Sequence, residues 1–191
     1  MANTAVKFRA AHIDPPWRKQ SGEKFYETMS LQQIKSMPIA DLMMDDSWCF
    51  LWITGGMLWH GPEVLRAWGF EPVSPPMITW FKGFTGLGAP LRGSTEFLLL
   101  GRRGHPVPAF RGQPTHLIAP RQRHSQKPEE TVALIERFVG GDDAFLELFC
   151  RKRPSSSKVW RVWGFEAPGG SDIVIPGYPV PHYSFDQEAT S

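Results

Sequence analysis

Long apolar runs are missing from this 191-residue chain. Stretches such as "WCFLWIT" (Trp48 to Thr54) and "FLLLG" (Phe97 to Gly101) are far too short to cross a bilayer, which needs about 20 apolar residues. The N-terminus lacks the basic start and apolar core of a secretory signal, so a cytoplasmic protein with no membrane partner is expected. Cysteine is scarce: Cys49 and Cys150 each sit inside an apolar run, which points to buried reduced thiols rather than a disulfide. The 6 histidines show no paired ligand spacing, and no metal is expected. No internal repeat is present. Acids are absent altogether between Phe97 and Pro128, where Arg102, Arg103, Arg111, Arg121, Arg123 and Lys127 are joined by His105, His116 and His124. A second acid-free span after Glu147 holds Arg151, Lys152, Arg153, Lys158 and Arg161. On a chain of net charge only +2, such clustering is either the footprint of a phosphate backbone or a pair of solvated loops.

What is present is ordinary globular material, 41% hydrophobic and 21% charged, enough for one domain with a real core. Strands are expected at Val6 to Ile13, Trp48 to Thr54, Pro76 to Lys82, Ser94 to Arg103 and Ala144 to Cys150. Helices are expected between them. Ser30 followed three residues later by Gln33 is a capping-box start for a short helix closed by Pro38. A second helix carries Pro62 in its first turn and stops at Gly69. The third, "PEETVALIERFV" (Pro128 to Val139), has proline and two glutamates at its start and an apolar face of Val132, Ile135, Phe138 and Val139. Strands alternating with helices imply an α/β fold with a largely parallel sheet, whose ligands lie beyond the carboxyl ends of the strands. From Pro176 the sequence loses all periodicity, so residues 1–175 are expected to form a single domain and 176–191 a loosely held tail.

The short stretch "HIDPPWRKQ" (His12 to Gln20) ends the first strand, because neither Pro15 nor Pro16 has an N–H for a sheet ladder. Two readings of Asp14–Pro15–Pro16–Trp17 stand on physics alone. One is a turn with a capping acid and a core tryptophan. The other is chemical: a carboxylate and a fixed carbonyl that accept the two hydrogens of an exocyclic amine on adenine would pull its lone pair out of conjugation. Trp17 would then offer a flat face for stacking the base, which must be unpaired to react. In "GFTGLGAPLRG" (Gly83 to Gly93), "GLG" is not a dinucleotide fingerprint, since no helix follows at the required spacing. That segment reads either as a mobile loop near the active face, with Phe84 and Arg92 as possible contacts, or as a plain connector.

Across Phe8 to about Glu166 the sequence resembles the MT-A70 family of S-adenosylmethionine-dependent adenine N6-methyltransferases. The resemblance is carried by "DPPW" at Asp14 to Trp17, "FYETMSLQQIKSMPI" at Phe25 to Ile39, "FLWITGG" at Phe50 to Gly56, "AWGFEPV" at Ala67 to Val73, "TWFKG" at Thr79 to Gly83, "EFLLLGRRG" at Glu96 to Gly104, "HSQKPEE" at His124 to Glu130, "LELFCR" at Leu146 to Arg151 and "VWGFE" at Val162 to Glu166. It implies a Rossmann-like methyltransferase fold with permuted motif order, the catalytic loop preceding the cofactor strand. Asp14, Pro15, Pro16 and Trp17 match the catalytic loop, and Lys127 the lysine that meets the cofactor's carboxylate. Glu147, Phe149 and Arg151 lie where the family's strand borders S-adenosylmethionine. Tyr26 matches a position near the target base, and Arg92, Arg102, Arg103 and Arg123 are the expected nucleic-acid contacts. After "LELFCR" the family often has histidine or asparagine, where this chain reads "KRPSSSKVW", leaving Ser155 to Ser157 without a role. The chain's size suggests a bacterial or phage enzyme acting on DNA, with RNA an alternative because the motif recognises adenine and not its sugar. The family also contains partner subunits that keep the fold but have lost the catalytic acid. An inactive nucleic-acid-binding subunit is therefore the rival reading, and a homodimer or related partner subunit is possible.

Overall fold

The computed structural model describes residues 6–17, 28–83, 90–120 and 126–178. Strand β1 is Phe8–Ile13, and α1, Leu31–Lys35, follows the proline corner. Both halves of the capping box form: Ser30 Oγ accepts from the Gln33 N–H, and the Ser30 N–H donates to Gln33 Oε1. After a 3-10 turn at Ile39–Leu42 come β2, Met43–Ile53, a second 3-10 turn at Gly55–His60, and α2, Gly61–Ala67. Strands β3, Glu71–Phe81, and β4, Thr95–Arg103, form an antiparallel pair. Then follow the short β5, His116–Ile118, the helix α3, Glu130–Val139, and strands β6, Phe145–Leu148, and β7, Trp160–Trp163.

The seven strands lie in the order β5-β3-β4-β2-β1-β6-β7. Every neighbouring pair is parallel except the two that β4 makes, so β4 alone runs backwards in a mostly parallel sheet. Both faces are covered. Period-two alternation along β2 sends Cys49, Leu51 and Ile53 to the side covered by α1 and α2, where Ile34, Val64, Leu65 and Trp68 join them. Trp48, Phe50 and Trp52 go to the other side, under Leu134, Ile135 and Val139 of α3. A register shift between Phe8 and Ala10 puts Phe8 on the first face and Ala10 on the second, although both are even-numbered. Cys49 and Cys150 are buried free thiols on different parts of the sheet.

Neither β5 nor β7 is among the expected strands, and β2 and β3 are each longer than their apolar runs. The first residues of the segment expected to be loose are tied down. Ile175 pairs with Tyr178, and the Tyr178 hydroxyl donates to the Gln33 carbonyl at 2.9 Å. Among the described residues no helix is long and apolar enough to cross a membrane.

Candidate active site

In the strand order, β1 has β2 on one side and β6 on the other. The chain leaves β1 toward β2 and leaves β6 toward β7, in opposite directions across the sheet. Loops that diverge from neighbouring parallel strands open a crevice beyond their carboxyl ends. Asp14 follows β1 at that point, and Glu147 to Arg151 end β6 beside it. The strands are in register, with His12 opposite Glu147 and Ile13 opposite Leu148. An open cleft there is lined by His12, Asp14, Lys127, Glu147, Phe149, Arg151 and Ser155, among others.

The proline corner is fastened by its own backbone. The Asp14 N–H points to the Leu148 carbonyl at 3.5 Å, the Trp17 N–H donates to the Pro15 carbonyl at 2.8 Å, and the Met29 N–H donates to the Pro16 carbonyl at 3.0 Å. With no N–H on either proline, every backbone donor from Asp14 to Trp17 is committed. The corner has acceptors to offer and no donors. Trp17 corrects the stacking expectation. It is 6% exposed, packs in the core on the α1 and α2 face, and its indole N–H donates to the Trp52 carbonyl at 3.1 Å. An indole so enclosed anchors the loop and has no free face for a base.

Asp14 is half-buried, and its Oδ2 accepts from Lys127 Nζ at 2.6 Å. Lys127 also lies 3.4 Å from Glu96 Oε2, and Glu96 Oε1 accepts from Lys82 at 3.1 Å. Two carboxylates and two ammonium groups thus alternate along one line at the carboxyl end of the sheet. Burial pulls Lys127 toward its neutral form, but the charges of Asp14 and Glu96 outweigh it and hold the ammonium above its ordinary range. For Glu96, burial pushes upward, yet Lys127 and Lys82 leave the carboxyl below its usual range. The Lys127 ammonium also sits 5.5 Å from the centre of the Trp52 ring.

Beneath the cleft, Trp52 Nε1 donates to His12 Nε2 at 2.6 Å, and His12 Nδ1 meets Glu147 Oε2 at 2.5 Å. Phe149 adopts φ 61°, the left-handed region that costs a bulky residue about 1–2 kcal/mol. Its ring packs edge-on to Trp163 at 5.3 Å. Behind it, Gly164 lies so close to Cys150 that a Cβ would stand 2.6 Å from the Cys150 nitrogen. Arg151 is 3.5 Å from Glu166.

The structure therefore brings Asp14, Lys127, Glu147, Phe149 and Arg151 to one cleft. Arg92 is exposed in the connection between β3 and β4, at the same end of the sheet. Arg102 and Arg103 are a correction. Because β4 is antiparallel, Arg102 is level with Trp48 in the middle of β2, about 17 Å from the Ile53 end at the usual rise per residue. Arg103 there donates to the Ala40 carbonyl at 2.6 Å. Tyr26 and Arg123, together with Phe84, lie outside the described residues. Sequence reasoning missed Glu96, Lys82, His12 and Trp52 as site residues. The signal for the first two was an acid opening one strand and a lysine closing the strand before it, which an antiparallel pairing brings together.

An α/β sheet with its acid-bearing corner at the central switch point is the architecture of Rossmann-like methyltransferases. The model of the MT-A70 family matches residues 8–166, and the chain belongs to that family. It is 33% identical over 156 residues to the N(6)-adenosine-methyltransferase MT-A70-like protein of Drosophila melanogaster, covering 76% of this chain and 24% of the relative. Against the human N(6)-adenosine-methyltransferase catalytic subunit METTL3 the figures are 33% over 156 residues, 76% and 26%. Against the mouse N(6)-adenine-specific methyltransferase METTL4 they are 30% over 188 residues, 87% and 39%. The chain thus spans about a quarter to two fifths of the length of these relatives.

Proposed function

We propose that this chain transfers a methyl group from S-adenosylmethionine to the N6 amine of adenine in nucleic acid, with DNA the favoured substrate and the cytoplasm the compartment. The observation that carries the reading is the acceptor-only corner at Asp14, open to a cleft that a second carboxylate, Glu147, also lines. An aromatic amine has two hydrogens and a delocalised lone pair. Asp14 accepts one hydrogen through Oδ1 while Lys127 holds Oδ2, and the Pro15 carbonyl has one lone pair left for the other. Gripped so, the nitrogen turns toward tetrahedral geometry and its lone pair toward the electrophile, which is positioning plus electrostatic stabilisation. The aryl-ammonium formed on attack is strongly acidic, and Asp14 already faces its proton.

The donor set fits the cofactor. Lys127 would meet its carboxylate with the N–H that Asp14 and Glu96 leave over, Glu147 would accept from ribose hydroxyls, and Phe149 and Arg151 would border its adenosine. When bound, the cofactor supplies the sulfonium methyl group. Arg92, exposed at the same end of the sheet, would meet the phosphate backbone.

The test incubates the protein with isotopically labelled S-adenosylmethionine and separate DNA and RNA pools, then digests to nucleosides and identifies the product by mass. N6-methyladenine from one pool names the substrate. Asp14→Ala removes an acceptor made for the transition state, and a rate loss of at least about 100-fold is expected, with cofactor binding nearly intact. Label in neither pool overturns the assignment in favour of a non-catalytic binding subunit, and an equally active variant overturns the role given to Asp14. One relative is named a catalytic subunit, which supports a second copy or related partner here, checked by light scattering of the protein alone.

A further inference from the structure

We propose that His12, with its tautomer set by Trp52, is a positioning residue that fixes the Glu147 carboxylate so that the cleft selects a ligand carrying free ribose hydroxyls. The inference rests on the reading above that this cleft takes S-adenosylmethionine. Its starting point is a one-way hydrogen bond. An indole nitrogen can only donate, so at 2.6 Å from Trp52 Nε1 the His12 Nε2 must present its lone pair. The ring hydrogen is then on Nδ1 and is donated to Glu147 Oε2, 2.5 Å away. A hydrogen on Nε2 would face the Trp52 N–H head-on.

The imidazole cannot turn away from this arrangement. It is walled by Trp52, with ring centres 6.3 Å apart, and by Trp160 at 6.5 Å, both edge-on. The His12 side chain is 5% exposed and that of Glu147 14%, and both border the cleft. Strand register puts the two residues directly opposite each other on β1 and β6. With Oε2 committed, Glu147 Oε1 makes no hydrogen bond among the described residues, and it is an acceptor on the cleft wall. A carboxylate held at one oxygen keeps the other in a fixed place, which converts a flexible acid into a reader of hydroxyl hydrogens. Such a group favours a vicinal diol and disfavours a ligand without one, because the half-buried oxygen then stays unpaired.

The experiment measures binding of S-adenosylhomocysteine, and of its analogue with hydrogen in place of the 2′ and 3′ hydroxyls, by calorimetry. Wild type, His12→Leu and His12→Asn are compared. Leucine and asparagine have the same shape, and only asparagine keeps a donor near the Nδ1 position. Wild type is expected to prefer the hydroxylated ligand by about 10–100-fold, the worth of a hydrogen bond to a charged group. His12→Leu is expected to reduce that ratio to within about threefold while leaving affinity for the dideoxy analogue unchanged, and His12→Asn to restore most of it. A merely structural histidine would weaken both ligands together, and an unchanged ratio in His12→Leu overturns the proposal. If His12→Leu does not fold, His12→Gln carries the same expectation, because its amide lies near the Nε2 position and leaves no donor at Nδ1, and an unchanged ratio there is equally fatal. Wild type binding the hydroxylated ligand with no preference refutes the roles of His12 and Glu147 toward the ribose and leaves the cofactor assignment standing. Wild type binding neither ligand refutes the cofactor assignment as well.

Discussion

Replacing Lys127 with methionine keeps an unbranched side chain one atom shorter and removes the charge that joins Asp14 to Glu96. Among the ion pairs described for the two carboxylates, one ammonium is then left, that of Lys82 on Glu96. Breaking a fully buried pair by removing one partner costs about 3–5 kcal/mol, because a charge is left uncompensated. Here the side chains are 13% (Lys127), 23% (Asp14) and 21% (Glu96) exposed, so water recovers part of the loss and about 2–3 kcal/mol is expected at pH 7. For a chain of this size that lowers Tm by about 4–12 °C. The pH dependence has a definite sign. Glu96 is held below its ordinary value of 4.5, so its contribution is present above that pH and is lost as pH falls through the lowered folded value. Lys127 is held above 10.5, so its contribution is full below 10.5 and is lost as pH rises through the raised value. Between those limits the wild type is on a plateau. Without Lys127, burial pushes the Glu96 carboxyl up and it protonates earlier, so the gap between variant and wild type narrows as pH drops from about 5 to 3. Urea denaturation followed by tryptophan fluorescence at pH 7 and pH 4 measures both quantities. A variant within about 0.5 kcal/mol of wild type at pH 7, or a gap that widens in acid, refutes the ion line as described.

Gly164→Ala places a Cβ 2.6 and 2.7 Å from the backbone nitrogen and oxygen of Cys150, atoms that cannot move aside without parting the ends of β6 and β7. A loss of about 2–3 kcal/mol is expected, and an unchanged melting curve contradicts the contact. Burial pushes the Cys49 thiol well above its ordinary range, and burial with the nearby Glu147 charge pushes Cys150 up to about 12. Native protein at pH 8 should therefore resist a thiol-specific disulfide reagent, and urea should expose both groups; a rapid native reaction would contradict their burial. Ser30→Ala removes half of the capping box and should cost about 1 kcal/mol in urea denaturation, with Ser30→Asp recovering most of it. Equal stability of all three forms would show that α1 is held by packing alone.

Much of the architecture was legible because it rests on local signals. The β2 run from Trp48 to Ile53 is buried on both faces and reads as a strand on content alone, and Ser30 with Gln33 announces α1. Other elements exist only through their partners. His116–Ile118 has no apolar pattern and is a strand because it pairs with Thr79 to Phe81. The first half of β3, from Glu71 to Pro75, is rich in proline and polar groups, and its pairing with β4 is interrupted between Pro72 and Met77. The direction of β4 was the consequential miss. Its residues do not encode polarity, but the sequence before it is a glycine-rich segment with no helical pattern, and a crossover between parallel strands usually needs a helix. Reading that connection as a hairpin would have sent Arg102 and Arg103 to the far end of the sheet and brought Glu96 to the site. Trp17 shows the opposite limit: an indole after two prolines serves equally well inside or outside, and only the packing decides.

The position of β1 explains why a site can be assembled from segments more than a hundred residues apart. As the first strand in sequence but a central one in space, it needs neighbours from later in the chain, and β6 supplies one in exact parallel register over four residues. That register is a chemical constraint as well as a packing one. It puts His12 opposite Glu147 on the α3 face and Ile13 opposite Leu148 on the other, so the side chains that seal the core and those that shape the cleft alternate along the same two strands. A one-residue slip would turn His12 and Glu147 into the α1 and α2 face and drive two leucines and an isoleucine toward the cleft. Burial of Leu146, Leu148 and Ile13 therefore holds the polar pair in place. Pro15 and Pro16 can do without ladder N–H groups because the strands they leave are locked by the groups pointing the other way.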